Sequence, residues 1–400
     1  MNENMKSTIF VGDNTDQPNF GCRATSMALA ENLKHAITFA DRIYRKEVLQ
    51  LFAATPICDD WPLYFSAVKK SLAYKDLISR ISQTDAVILN GEGSFIFQTP
   101  PRLDLHNYLV ILSACMEAGK PFYVLNFMFS AYAEEPINVE LMEHALSILE
   151  NAEAVCVRDL ESKRIIESKN DKIIASYVPD ALFAWYSVLN DNDKILKNMI
   201  THSRFALPFL DNCNFYNNLD FAQPYVLFSG NSYAAHHKNT TEKSFADLAA
   251  ALKIKAEEFG FKLYLIECCG GDSVLRSVAQ KIGIPLIPVT INIYLAAYIL
   301  ANAKCFISGR YHPSILASLG GTPCVLMKAN SHKTLSLQAV LEIPCEEHEI
   351  FSAIPEQEEI LRIVAAFEKA VKCENRRKLK AICEKNALLA SNIISIFEED

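Results

Sequence analysis

Short apolar, β-favouring runs recur along the chain. Each stops abruptly at glycine or a small polar residue, and each is followed by a stretch with helical spacing. Thr8-Ile9-Phe10-Val11 ends at Gly12-Asp13-Asn14, ahead of a helical stretch from Thr25 to Lys34. Asp85-Ala86-Val87-Ile88-Leu89-Asn90 runs into Gly91-Glu92-Gly93-Ser94, ahead of a helix from Leu105 to Ala118. Pro121 to Leu125 precedes a helix over Leu141–Asn151. Ala154 to Val157 opens onto Arg158-Asp159 and a helix over Glu161–Lys169. Ala175 to Val178 ends at Pro179-Asp180. Strands that alternate with helices of this length build βαβ units and a parallel sheet. Ligands of such sheets bind beyond the carboxyl ends of the strands, where the polar clusters GDN, NGEGS, RD and PD fall.

The alternation restarts after a polar, Asn-rich interval. Tyr225 to Phe228 leads to Ser229-Gly230-Asn231. A helix over Phe245–Phe259 is expected with Ser244 as N-cap and Gly260 at its C-terminus. Strands over Phe261–Ile266, Pro285–Ile287, Cys305–Ile307 and Pro323–Met327 are interleaved with helices over Ser273–Lys281 and Ile293–Ala303 and one beginning at Ser314. The spacing predicts an N-terminal domain over 1–190, a linker region over 191–220, a C-terminal domain over 221–350 and a charged helical segment over 351–400.

With half of its 400 residues hydrophobic and 22% charged, the chain can bury substantial cores. A net charge of -8 argues against a general nucleic-acid binder. Twelve cysteines contain no CxxC pair, and many sit inside apolar runs. That fits free thiols in a reducing compartment better than a disulfide framework. No run reaches the length of a membrane span and the first residues lack a signal-peptide core, so a soluble cytoplasmic protein is expected. Homo-oligomer formation and peripheral membrane association stay open. No metal-ligand spacing is apparent, and no cofactor is expected.

The richest segment is Ile307-Ser308-Gly309-Arg310-Tyr311-His312-Pro313-Ser314, a strand emptying into the start of a helix. Arg310 offers a planar fork for a carboxylate or phosphate. The helix start offers free N–H groups, and the imidazole of His312 is a side chain that can move a proton. Gly309 and Ser314 flank them. In Asn90–Ser94, the glycines Gly91 and Gly93 let backbone approach a ligand, and Glu92 and Ser94 carry polar groups. Arg158 ends a strand, while Asp159 reads equally as the cap of the next helix. Near the first helix, Asp13, Asn14, Asn19 and Arg23 are candidates. Arg23 at a helix start is electrostatically unfavourable unless it meets an anion, and Cys22 reads as a small packing residue. Asn231 ends the first strand of the second series. His236-His237 follows it, and adjacent side chains there make a poor metal pair. Asp180 reads chiefly as a turn residue.

Together GDN…NFGCRAT, DAVILNGEGSF, AEAVCVRDLES, YVPDALF and ISGRYHPSILASLGGTP resemble the polysaccharide pyruvyl transferase family, in the family's order. The Arg-x-His of the last piece is the most specific. The early NxGD pattern of the family reads Asn19-Phe20-Gly21-Cys22 here. The glycine triplet reads Gly91-Glu92-Gly93, and Tyr311 stands where an aliphatic residue is usual. The resemblance implies an α/β, GT-B-like fold of two Rossmann-like domains facing across a cleft, with a long C-terminal helical segment appended. It implies transfer of the pyruvyl group of phosphoenolpyruvate to a sugar or glycan hydroxyl as a ketal, in surface polysaccharide biosynthesis. In that reading Arg158 and Arg310 clamp the donor's anionic groups, His312 delivers a proton or assists the leaving phosphate, and Glu92 or Asp13 activates the hydroxyl. Two readings compete: a GT-B glycosyltransferase using a nucleotide sugar, and a non-catalytic assembly protein on the same scaffold.

Overall fold

A computed structural model of the protein describes residues 6–131, 136–202, 219–233, 238–343, 350–373 and 375–397. It divides into two compact units. The first comprises Met1–Gln17, Thr25–Ala181 and Leu388–Asp400; the second comprises Pro18–Ala24 and Leu182–Ala387. The boundary therefore falls at Ala181, ahead of the expected 190.

The first unit is a six-stranded, all-parallel sheet. Its strands are β1 (Lys6–Asp13), β2 (Ile37–Tyr44), β3 (Ala86–Phe97), β4 (Phe122–Ala131), β5 (Ala154–Val157) and β6 (Ala175–Tyr177), in the order β2-β1-β3-β4-β5-β6. The inner strands read as continuous apolar runs because a parallel sheet is covered on both faces. Ile9, Val11, Val87, Leu89, Val124 and Val155 belong to one core with Leu109 and Leu112 of helix Leu103–Glu117. The second unit is a five-stranded parallel sheet of β7 (Tyr225–Asn231), β8 (Lys262–Ile266), β9 (Leu286–Ile287), β10 (Phe306–Gly309) and β11 (Cys324–Leu326). Its order is β11-β10-β7-β8-β9. Its core joins Val226, Phe228, Leu265 and Ile307 to Ile363 and Phe367 of helix Gln357–Lys372.

Several local expectations are corrected. Asn90–Ser94 is not a loop beyond the strand, because β3 continues through it to Phe97. The glycine pair that reads as a turn instead marks a register break against β4 between Glu92 and Phe95, with Glu92 at φ +41°. Gly91 is required by space, since a Cβ there would lie 2.6 Å from Phe127 Cβ. The helix assigned to Phe245–Phe259 starts at Lys238, so Ser244 is inside it and donates its hydroxyl to the Pro355 carbonyl rather than capping. The region expected as a linker is helical over Asp193–His202. The C-terminal segment forms two helices, Gln357–Lys372 and Arg376–Ser391. Its last residues, Leu388–Asp400, belong to the first unit, where Phe397 packs on Tyr123 at 4.8 Å between ring centroids. His236 and His237 lie outside the described residues. Among the described residues no helix is long and apolar enough to cross a membrane.

One core residue makes the first unit sensitive to acid. His106 of helix Leu103–Glu117 is fully buried against Trp61 and Tyr64, with ring centroids 5.5 and 4.7 Å away. Neither ring nitrogen has a hydrogen-bond partner. Burial disfavours the imidazolium and lowers the folded-state pKa from 6.5 to about 4. Above pH 6.5 both folded and unfolded chains carry the neutral ring. As pH falls from 6.5 towards 4, only the unfolded chain takes up the proton, so stability drops across that window, by at most about 3 kcal/mol. Urea unfolding at pH 7 and pH 4.5 checks this: His106→Phe should lose less stability between the two pH values than the parent does.

Candidate functional site

In the first unit the carboxyl ends of the central strands carry a buried polar network. Glu92, 2% exposed, is its hub. Its Oε1 accepts hydrogen bonds from Asn14 Nδ2 at 2.6 Å, Ser26 Oγ at 3.3 Å and Asn90 Nδ2 at 3.3 Å. Asn90 Nδ2 also donates to Ser26 Oγ, and Asn90 Oδ1 accepts from Asn126 Nδ2 at 3.1 Å. Asn126, held at φ +52°, also donates to Thr25 Oγ1, and its own Oδ1 takes the backbone N–H of Ala181. Thr25 donates to Asp180 Oδ1 at 2.7 Å. The other oxygen of Asp180 meets Arg158 Nη1 at 3.0 Å, with both side chains almost fully buried. The line from Glu92 to Arg158 is thus a single chain of hydrogen bonds, and a change at either end is felt along it.

The structure sorts the expected residues of this unit into groups. Asn14, Gly91, Glu92 and Arg158 sit on or beside this network, as does Gly93, where a Cβ would lie 3.5 Å from Arg158 Nη2. Asp13 points to β2, where its carboxylate meets Arg42 Nη1 at 3.0 Å and accepts from Thr15 N. Ser94 donates to Asp104, which also binds Arg45 and Arg102. Burial opposes the Asp104 charge, but the two guanidinium groups hold its carboxyl well below the usual range. Asp159 caps helix Leu160–Lys169 by accepting from Ser162 N. Asn90, Asn126, Thr25 and Ser26 were not singled out. Only the glycine flanking Asn90 hinted at one of them.

In the second unit, β10 delivers Gly309 and Arg310 to the start of helix Tyr311–Leu319. Gly309 pairs with Asn231 of β7. The Arg310 guanidinium is turned onto Asp272, whose Oδ1 accepts from Nε at 3.1 Å and Nη2 at 2.6 Å. Asp272 Oδ2 accepts the backbone N–H groups of Cys268 at 2.8 Å and Cys269 at 3.3 Å. Burial acts against the Arg310 charge, yet the Asp272 carboxylate outweighs it and holds the guanidinium ionised above its ordinary range. Gly230 leaves room for the pair: a Cβ there would sit 2.4 Å from Asp272 Oδ1. Asp272 is the main residue missed in this unit. It lies in Gly270-Gly271-Asp272-Ser273, which reads as an ordinary turn.

Ser314 donates its hydroxyl to the Arg310 carbonyl, and Asn231 Nδ2 donates to the Ala353 carbonyl. His312 is buried, with Tyr311 edge-on at 5.2 Å. Beneath it passes Gly21, where a Cβ would come within 2.7 Å of His312 Cβ, and Cys22 Sγ lies 3.9 Å from His312 Nδ1. Asn19 caps helix Phe20–Leu33 by accepting from Cys22 N at 3.1 Å and bridges to Cys269, while Phe20 N donates to Cys268 O. The first helical turn is thereby fixed to the loop that also anchors Asp272. Cys22 and His312 are of ligand types that zinc accepts. Proton transfer at His312 and anion binding beside a charged, immobile Arg310 are the chemistry this arrangement offers.

Parallel sheets with helical crossovers in both units, and polar groups collected at the strand carboxyl ends, define a GT-B-like α/β protein. Similar solved structures agree on the fold. UDP-GlcNAc 2-epimerase from Neisseria meningitidis, bound to UDP-GlcNAc, is 12% identical with a TM-score of 0.59, covering 99% of this chain and 100% of its own. The Rickettsia bellii UDP-N-acetylglucosamine 2-epimerase is 12% identical, TM-score 0.54, covering 98% and 95%. Phytolacca americana UGT2, complexed with UDP-2fluoro-glucose and pterostilbene, is 12% identical, TM-score 0.52, covering 98% and 99%. No curated protein sequence matches the chain. Residues 19–331 match the polysaccharide pyruvyl transferase family, and the chain belongs to that family.

Proposed function

We propose that the protein transfers the pyruvyl group of phosphoenolpyruvate to a sugar or glycan acceptor, forming a pyruvate ketal and releasing inorganic phosphate. Family membership over residues 19–331 supports a transferase acting on a saccharide. The observation that carries the reading further is the β10-to-helix junction, where an ionised, immobilised Arg310 is followed two residues later by the buried imidazole of His312. Phosphoenolpyruvate carries a carboxylate and a phosphate on a carbon that becomes electrophilic once its methylene is protonated.

The atoms balance without a redox partner. The methylene carbon gains a proton, and one sugar hydroxyl adds to the neighbouring carbon. Phosphate then leaves with the bonding electrons, and a second hydroxyl closes the ketal. His312 has the chemistry to deliver the first proton or to assist the leaving phosphate. In the first unit, Glu92 is the carboxylate suited to take a hydroxyl proton. Its Oε1 is held in place by hydrogen bonds from Asn14, Ser26 and Asn90.

Phosphate release on mixing the protein with phosphoenolpyruvate and a panel of sugars, nucleotide sugars and oligosaccharides tests the reading. Acceptor-dependent release, with a new methyl signal of the ketal by NMR, is expected. Thermal stabilisation by a UDP-sugar, with neither binding nor turnover of phosphoenolpyruvate, would replace this reading with a nucleotide-sugar transferase.

A further inference from the structure

The two arginines that the sequence nominates as anion clamps are both already neutralised. Arg158 is paired with Asp180, and Arg310 with Asp272, each carboxylate almost fully buried. A charge-balanced guanidinium orients a ligand through its remaining N–H groups, but it attracts an incoming dianion far less than a bare one does.

One arginine breaks this pattern. Among the described residues, Arg42, Arg45, Arg80, Arg102, Arg158 and Arg310 are partly or fully buried and each meets a carboxylate. Arg376, also partly buried, donates to the carbonyls of Ala303 and Ala301. Arg23 is partly buried and has no side-chain partner among the described residues. Its Nε is shut from solvent and makes no hydrogen bond. It also stands in the first turn of helix Phe20–Leu33, where no acidic residue offsets it and the helix dipole repels a cation. A desolvated donor and an uncompensated charge at the positive end of a helix destabilise the free protein. A bound anion reverses both effects. Within the second unit the same turn is held by Asn19–Cys269 and Phe20–Cys268, with Cys22 beside His312.

We propose that Arg23 supplies the uncompensated positive charge that captures the donor's phosphate or carboxylate, with Arg310 acting as a neutralised, orienting fork. The inference rests on the pyruvyl-transfer reading for the identity of the donor, but not for the existence of the anion site. The test is calorimetric titration of the full chain with inorganic phosphate and, separately, with phosphoenolpyruvate, using the parent, Arg23→Gln and Arg23→Lys. Arg23→Gln should weaken both ligands about 10- to 100-fold. Arg23→Lys should restore part of the phosphate affinity. Melting without ligand should be unchanged or slightly raised in Arg23→Gln, which a packing role would not produce.

Phosphate binding unchanged in Arg23→Gln overturns the proposal, as does a parent protein that binds neither anion. A marked fall in the melting temperature of both variants, reporting a structural role, would overturn it too. Phosphate binding lost in Arg23→Gln, from a parent that ignores phosphoenolpyruvate, upholds the anion site and removes the pyruvyl reading.

Discussion

Replacing His312 with Gln is expected to lower transfer about 10²- to 10⁴-fold, the range in which a positioned proton donor contributes to rate. Phosphoenolpyruvate affinity should change little. Glutamine approximates the volume of imidazole and keeps an N–H donor, so the contact with Gly21 and the start of helix Tyr311–Leu319 should survive. It cannot carry a proton to carbon. The effect should therefore fall on kcat, with the Kd from direct titration and the thermal midpoint close to the parent values. The two roles open to His312 can also be separated. If it protonates the methylene carbon, deuterium incorporation into the ketal methyl group should slow with turnover. If it assists only the leaving phosphate, the variant should still exchange solvent deuterium into unreacted donor. Turnover within threefold of the parent would remove His312 from the chemistry altogether.

The alternation of strand and helix was legible because the inner strands of a parallel sheet are buried on both faces, so Ala86–Leu89 and Phe122–Leu125 are unbroken apolar runs. β2 was invisible for the converse reason. It is an edge strand whose Ala40, Asp41 and Arg42 are not buried, and Ile37–Tyr44 has no apolar run to notice. The continuation of β3 through Gly91 and Gly93 was hidden because glycine marks a turn far more often than a register break. Arg310, His312 and Glu92 could be nominated as candidates because they lie in local motifs. The partners of these residues were not readable, because ion pairs and hydrogen bonds in this fold join distant stretches. Asp272 is 38 residues from Arg310 and Asn126 is 36 from Asn90. Sequence spacing carries no sign that one will neutralise or support the other. The same non-locality explains the changed view of the arginines. Arg23 reads as misplaced at a helix start, and among the described residues it meets no carboxylate.

Asp272→Ala should be the most destabilising single change in the second unit's site, at about 3–5 kcal/mol, since it leaves a mostly buried, charged Arg310 with no counter-ion. The carboxylate also takes the Cys268 and Cys269 N–H groups, so two backbone donors lose their acceptor in the same step. Removing the whole pair should be milder. Arg310→Met with Asp272→Ala deletes both charges, and a buried ion pair exchanged for apolar groups of similar volume is often close to neutral. The double variant is therefore expected to regain roughly half of the stability lost by Asp272→Ala alone, giving a clear coupling in a double-mutant cycle of urea midpoints. Asp272→Asn is the informative intermediate. It can still accept from the backbone while losing the charge, so its deficit relative to the parent isolates the electrostatic part. A melting temperature for Asp272→Ala equal to the parent's would mean that water reaches the guanidinium in solution and replaces the carboxylate. Arg310 would then be mobile and carry its full charge towards the donor, and the division of labour between it and Arg23 would disappear. The stability of a variant that touches no substrate thus bears directly on which arginine meets the anion.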